Sequence, residues 1–211
     1  MDKSFAHIAF TPLVKAQQAA HGSRSQYERI EQLTALNQSL SEAEREFVLS
    51  RDSFYMATVS ETGWPYVQHR GGTPGFLHVL DDRTLAFADY RGNKQYVSLG
   101  NLQHDDRVAL FLMDYPTRSR LKILGRAEIR EGAEAQQLIG ELAGADVRSL
   151  VERAITIHVE AYDWNCQQHI TPRYTEGQVV QVMAPVRRQM AELEAENKRL
   201  RAELDRLAVK R

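Results

Sequence analysis

The sequence predicts a mainly β protein with added helices, an α+β fold, and three observations carry that prediction. Helix-start signals recur through residues 1–50, short β-rich runs separated by turn residues begin at Phe54, and an apolar heptad pattern fills the last thirty residues. Short runs broken by turns describe a sheet that curls on itself and not a parallel α/β layer. The expected organisation is a helical segment over 1–50, a β domain over 51–182 and a coiled coil over 183–211.

At the N-terminus, Thr11 before Pro12 supplies an N-cap and a proline at the first helical position, where the missing N–H costs nothing. Gly22 offers a stop. Ser25 with Glu28 and Ser41 with Glu44 have capping-box spacing, in which hydroxyl and carboxylate each satisfy an orphaned backbone donor. Helices are therefore expected at 12–20, 26–37 and 42–50. Strands are expected at 54–60, 66–70, 76–80, 84–88, 107–113, 120–130 and 154–162. Gly63, Pro65, Gly71, Gly72, Pro74 and Gly75 mark the early turns, and Asp81-Asp82-Arg83 marks a hairpin loop. Helical pieces near 94–102 and 132–143 interrupt the sheet.

Met183, Val186, Met190, Leu193, Asn197, Leu200, Leu204 and Leu207 alternate steps of three and four, the a/d pattern of a coiled coil with Asn197 at an a position. Pro185 limits how early that helix becomes regular. A buried Asn at a favours meeting its own copy in a parallel two-stranded pair, and Glu196 at g faces Arg201 at the following e of the partner. The plainer alternative is an amphipathic helix lying on its own β domain. A basic-zipper DNA binder requires a continuous basic helix before the coil, and Gln178-Val179-Val180-Gln181-Val182 is apolar and β-prone.

Composition narrows the partners. Lys and Arg (27) nearly cancel Asp and Glu (28), so no global field draws the protein to nucleic acid or an anionic membrane. Any anion it binds is held locally. The lone Cys166 excludes an intrachain disulfide and thiolate zinc sites, which fits a reducing, cytoplasmic setting. His7, His21, His78, His104 and His158 lack metal-ligand spacing, and no segment reads as a leader or a bilayer span.

Two segments carry chemistry. Phe87-Ala88-Asp89-Tyr90-Arg91-Gly92-Asn93-Lys94-Gln95 runs from a strand end through a glycine turn towards a helix containing Ser98. Backbone N–H groups, a positive helix end and an ammonium then share one small volume, which suits a phosphate monoester. The spacing is neither a P-loop nor a dinucleotide fingerprint, and an exposed loop with a solvated lysine has the same spacing. In Tyr66-Val67-Gln68-His69-Arg70-Gly71-Gly72, Gln68 and Arg70 share one strand face and His69 takes the other. Arg70 either adds a guanidinium to the phosphate clamp or pairs with a surface carboxylate.

These segments, with Phe54-Tyr55-Met56-Ala57-Thr58, Ser98, Asn101, the stretch Leu121 to Ile129 and Trp164-Asn165-Cys166-Gln167-Gln168-His169-Ile170-Thr171-Pro172-Arg173, resemble the flavin-nucleotide-binding proteins related to pyridoxamine 5′-phosphate oxidase. The resemblance covers roughly residues 50–175. It implies a split β-barrel and a homodimer with FMN at the interface of two barrels. It also implies that Arg70 and Lys94 hold the phosphate, with Gln68, Asn93, Gln95 and Ser98 completing the clamp. By the same resemblance, the backbone near Ala88 and Asp89 meets the ribityl chain or ring, Arg118 or Arg120 reaches the flavin from the partner, and Trp164 corresponds to a tryptophan near it. The C-terminal element reads His169-Ile170-Thr171-Pro172-Arg173 where the oxidase carries Arg-x-His, so the vitamin substrate is not implied.

FMN performs its own redox chemistry, and the protein supplies orientation and a cation near the ring, for which Arg118, Arg120 and Arg173 are candidates. His169 sits in a polar loop and is a functional candidate, while Cys166 reads as a small apolar group. Three classes stay open: an FMN-dependent oxidoreductase acting on a small molecule, a flavin carrier or sensor, and a haem-binding split barrel.

Overall fold

The computed structural model describes residues 4–33, 39–144, 146–164 and 168–208. Seven antiparallel strands form one sheet: β1 (Ser53–Val59), β2 (Pro65–Gly71), β3 (His78–Val79), β4 (Thr84–Tyr90), β5 (Arg107–Asp114), β6 (Ser119–Arg130) and β7 (Val151–Trp164). Their spatial order is β2-β1-β5-β6-β7-β4-β3. Every expected run is a strand, although the third shrinks to two residues. The mixed α+β architecture is that of a split barrel with a long C-terminal helix.

Alternation makes the barrel core. Along β1, Phe54, Met56 and Thr58 are buried while their neighbours are not. Phe54 and Met56 meet Phe76, Phe87, Leu110, Leu112, Leu121 and Ile155 inside the barrel, and each large side chain so buried contributes about 1.5–3 kcal/mol. Phe54 stacks on Phe76 at 5.6 Å and meets Phe87 edge-on at 5.3 Å. The sheet bends at a register shift beside Gly125, where a Cβ would lie 2.5 Å from the His158 carbonyl oxygen of β7.

Among the described residues there are seven α-helices: α1 (Phe5–Ala9), α2 (Pro12–Ala20), α3 (Arg24–Leu33), α4 (Glu42–Leu49), α5 (Val97–His104), α6 (Gly132–Leu142) and α7 (Glu176–Ala208). The Thr11 cap with Pro12, the positive φ at Gly22 and the Ser41–Glu44 capping box form as expected. The Ser25–Glu28 box does not form. Arg24, bound to Glu31 at 2.7 Å and to Gln18 at 2.7 Å, belongs to the first turn of α3, and Tyr27 N–H bonds the Ser23 carbonyl. Residues 34–37, the expected end of that helix, lie outside the described residues.

On the outer face of the sheet, Ala86, Ala88 and Ala154 are small enough to let Ala135, Ile139 and Leu142 of α6 approach closely. On another side, α4 is fixed through Glu44, whose carboxylate accepts from the Ser41 N–H and from Trp164 Nε1 at 2.7 Å. Phe47 meets the Trp164 ring edge-on at 4.8 Å.

The chain divides into two compact units after Ile170. The second contains α7, which begins at Glu176 and not near Met183. A capping box that the β-prone valines obscured explains the earlier start: Thr175 N–H donates to Gln178 Oε1 at 2.9 Å, and Gln178 N–H donates to Thr175 Oγ1 at 3.3 Å. The helix also runs through Pro185 without ending there, another departure from expectation. No helix among the described residues is long and apolar enough to cross a membrane.

Candidate functional site

The barrel is closed between β2 and β4 by side chains, not by a backbone ladder. Arg70 Nη1 donates to Asp89 Oδ1 at 2.5 Å, and Ser98 Oγ of α5 donates to Gln68 Oε1 at 2.7 Å. Between them opens a cleft of about 70 Å3 whose wall includes Gln68, Arg70, Asp89 and Ser98, with the β4–α5 loop carrying Asn93, Lys94 and Gln95. That loop is tightly wound: Lys94 and Tyr96 have φ of 59° and 53°, and the Asn93 side chain accepts from Gln95 N–H. Tyr96, the N-cap of α5, gives the helix no side-chain cap, so the positive helix end at the cleft is left uncovered by its own cap residue.

Charge in the cleft is organised around Asp89, which is buried between two guanidiniums. Arg153 Nη1 donates to Asp89 Oδ2 at 2.8 Å, its Nε to Glu131 at 2.7 Å and its Nη2 to Glu152 at 2.9 Å. Burial alone would lower the Arg153 pKa, but the bonds to Glu131 and Asp89 raise it above the ordinary value. All three of its nitrogens are therefore committed to carboxylates. Arg70 differs: only Nη1 is engaged, and its buried Nε has no hydrogen-bond partner among the described residues. Its guanidinium also lies 5.6 Å from the Phe87 ring centroid. A register shift at the end of β4 pairs Asp89 with Arg153 and Tyr90 with Val151, leaving Glu152 as the bulged residue that bonds Arg91 and Tyr96.

Gln68, Arg70, Asp89, Asn93, Lys94, Gln95 and Ser98 thus come together in one cleft. The remaining candidates do not line it within this chain. Ala88 points its side chain to α6. Arg118 occupies the turn between β5 and β6 with φ 58°, and Arg120 lies 5.4 Å from the Phe111 ring. Trp164 is bound to Glu44 and Phe47. His169 stands in an exposed turn with φ 63°, and Arg173 belongs to the second unit. Cys166 lies outside the described residues.

Sequence reasoning missed Arg153, Glu152, Tyr66 and Tyr96, which also line the cleft or bond to its walls. The signal for Arg153 was present: extending the period-two pattern of Ile157 and Ile155 back two residues places Arg153 on the inward face. Ending the strand at Ala154 hid it.

Residues 40–163 match the sequence model of the pyridoxamine 5′-phosphate oxidase family, more than half of the chain. No curated protein sequence matches. Solved structures with related folds include a Lactobacillus delbrueckii protein classed as a candidate pyridoxamine 5′-phosphate oxidase, 22% identical over 60% of this chain and 94% of that one, TM-score 0.47. HupZ from Group A Streptococcus is 19% identical over 64% of this chain and 100% of its own, TM-score 0.46. An FMN-binding protein from Syntrophomonas wolfei is 15% identical over 67% and 97%, TM-score 0.46.

Proposed function

Since the chain belongs to the pyridoxamine 5′-phosphate oxidase family, we propose that it is a homodimeric FMN-binding protein and an FMN-dependent oxidoreductase acting on a small organic substrate. The observation that carries this reading is the cleft itself, where the Arg70 guanidinium, the Lys94 ammonium and an uncapped helix end face a small volume, the second guanidinium, Arg153, being committed to carboxylates. Arg70 retains unused donors there, with a buried Nε lacking a partner, and so fits an anionic ligand group better than a closed structural ion pair does.

Size supports the same assignment. A cleft of about 70 Å3 is well below the roughly 300 Å3 at which pockets for whole drug-sized ligands begin, and it suits a phosphate. The rest of the flavin then lies outside this cleft, in keeping with a site completed by a second chain. Arg70 and Lys94 hold the phosphate, with Asn93, Gln95 and Ser98 around it and Gln68 orienting Ser98. Arg118, Arg120 and the His169–Arg173 segment are candidates for the ring end, contributed across the interface. Bound FMN supplies the redox chemistry of its ring; the chain's residues bind and orient it.

The test is titration of FMN with purified protein, read by quenching of flavin fluorescence, followed by turnover of a reduced nicotinamide with a dye as acceptor. Saturable quenching that Arg70→Leu abolishes is expected. A colourless protein that leaves FMN fluorescence unchanged at any concentration overturns the flavin reading, and binding without turnover reduces the protein to a carrier.

A further inference from the structure

We infer that α7 pairs with α7 of a second copy as a parallel, in-register, two-stranded coil, and that this coil keeps two barrels within reach of one another. The second clause rests on the proposed shared FMN site; the first does not.

Every described residue of α7 is exposed within the chain, including Val179, Met183, Val186, Met190, Leu193, Leu200, Leu204 and Leu207. The start at Glu176 extends the heptad frame by a whole repeat beyond the sequence pattern, placing Val179 at d, with Val180 and Val182 flanking the seam at e and g. Pro185 falls at c, on the outer side, where its missing N–H disturbs no seam contact. A continuous apolar stripe of this length on a 33-residue helix needs a cover.

Two features select a second copy in parallel, and a third is compatible with it. Leucine fills d at 193, 200 and 207, the branched choice that two-stranded coils favour there. Asn197 at a bonds best to its own copy, which occurs at the same level only in a parallel, in-register pair. At the flanks, Glu196 at g meets Arg201 at e of the partner in the parallel arrangement. The antiparallel arrangement that centres the 33-residue helix sets Arg187 against Glu194, so the flanking charges permit either direction, but it places Asn197 opposite Val186 and leaves its amide without its own copy.

Orientation has a consequence for the barrels. Five residues, 171–175, join the first unit to the helix, and such a segment spans at most about 18 Å. In a parallel coil the two helix starts are about 10 Å apart, whereas in an antiparallel one they are separated by the helix length, about 50 Å. The parallel coil therefore presents each barrel to the other at an effective concentration on the order of millimolar, so a shared site assembles even when the protein is dilute.

Disulfide trapping in the full chain tests the pairing. On a Cys166→Ser background, Val186→Cys and Leu207→Cys are each oxidised separately. Self-cross-linked dimers from both variants are expected, because d positions face their own copies at both ends of the helix. Cross-linking only when the two variants are mixed, or no cross-linking in any combination, means that like d positions do not face one another, and either overturns the proposal. For the tether, Leu193→Asp/Leu200→Asp should lower FMN occupancy on hundredfold dilution by tenfold or more, while the parent chain holds its occupancy. Equal dilution behaviour in parent and variant overturns the tether. A parent chain that binds no FMN at all refutes the site and leaves the cross-link to decide the coil.

Discussion

Asp89 and Glu44 are both buried carboxylates at the barrel wall, and their surroundings differ in kind. Glu44 is met by neutral donors, the Ser41 N–H and hydroxyl and the Trp164 indole. Asp89 is met by two cations, one of which, Arg70, keeps donors in reserve. A carboxylate closed by neutral donors ends a network and fastens a helix. A carboxylate shared between two guanidiniums positions charge, and the Arg70, Arg91, Lys94 and Arg153 cations outnumber Asp89, Glu131 and Glu152 in and around the cleft. That contrast separates the side of the barrel for which ligand binding is proposed from its structural side.

The sharpest way to break the contrast is Arg153→Met. It leaves Asp89 with Arg70 alone, Glu152 with Arg91 alone and Glu131 without its Arg153 partner, and loss of one partner from such a buried network costs about 3–5 kcal/mol. A denaturant titration should show a drop of that order, whereas a loss below about 1 kcal/mol would mean that Arg153 does not hold the cleft together. Next in size is Lys94→Ala. Its ammonium is exposed and has no ion-pair partner among the described residues, so stability should stay within about 0.5 kcal/mol. FMN affinity should fall ten- to hundredfold, the worth of about 1.5–3 kcal/mol for a charged hydrogen bond. A variant that binds FMN as the parent does removes Lys94 from the clamp.

On the structural side, Glu44→Gln should cost about 1–3 kcal/mol at neutral pH without altering FMN affinity. Its pH dependence has a definite sign. Burial pushes the Glu44 pKa up, but the bonds from Ser41 and Trp164 outweigh it and hold the folded-state value below the ordinary 4.5. The stabilisation is then complete above about 4.5 and is lost as the pH falls through the lower folded value. The variant's stability should lose that acid-side slope. Burial and the neighbouring Glu44 push the Tyr162 hydroxyl up to about 12, so it stays a donor throughout this range.

Much of the contrast was legible before the structure. Alternation in Phe54-Tyr55-Met56-Ala57-Thr58 and in Gln68-His69-Arg70 fixed which side chains face inward, because a strand has only two faces. The Gly92–Lys94 turn offered local chemistry suited to an anion, and the structure places it at the cleft. The Arg70–Asp89–Arg153 linkage was not legible, since it depends on three strands meeting where the barrel closes, a long-range event with no local marker. Trp164 was associated with the flavin, and here its indole N–H serves Glu44, 120 residues earlier in the chain. The start of α7 was misjudged for the opposite reason: a local signal, the Thr175–Gln178 capping box, outweighed the strand preference of Val179, Val180 and Val182.

The smallest effect is the most discriminating. Ser98 Oγ donates to Gln68 Oε1 across the closure, and Ser98→Ala removes one hydrogen bond at a cost of about 0.5–1.5 kcal/mol. If Ser98 only closes the barrel, the loss appears in unfolding and FMN affinity is untouched. If the Ser98 hydroxyl turns its proton from Gln68 to the phosphate when ligand binds, Ser98→Ala lowers affinity by a further factor of roughly ten, because the ligand loses that donor. Combining Ser98→Ala with Lys94→Ala decides between these. Residues that grip one phosphate should show losses in affinity that fail to add, while their stability losses, arising at separate contacts, should add within about 0.5 kcal/mol.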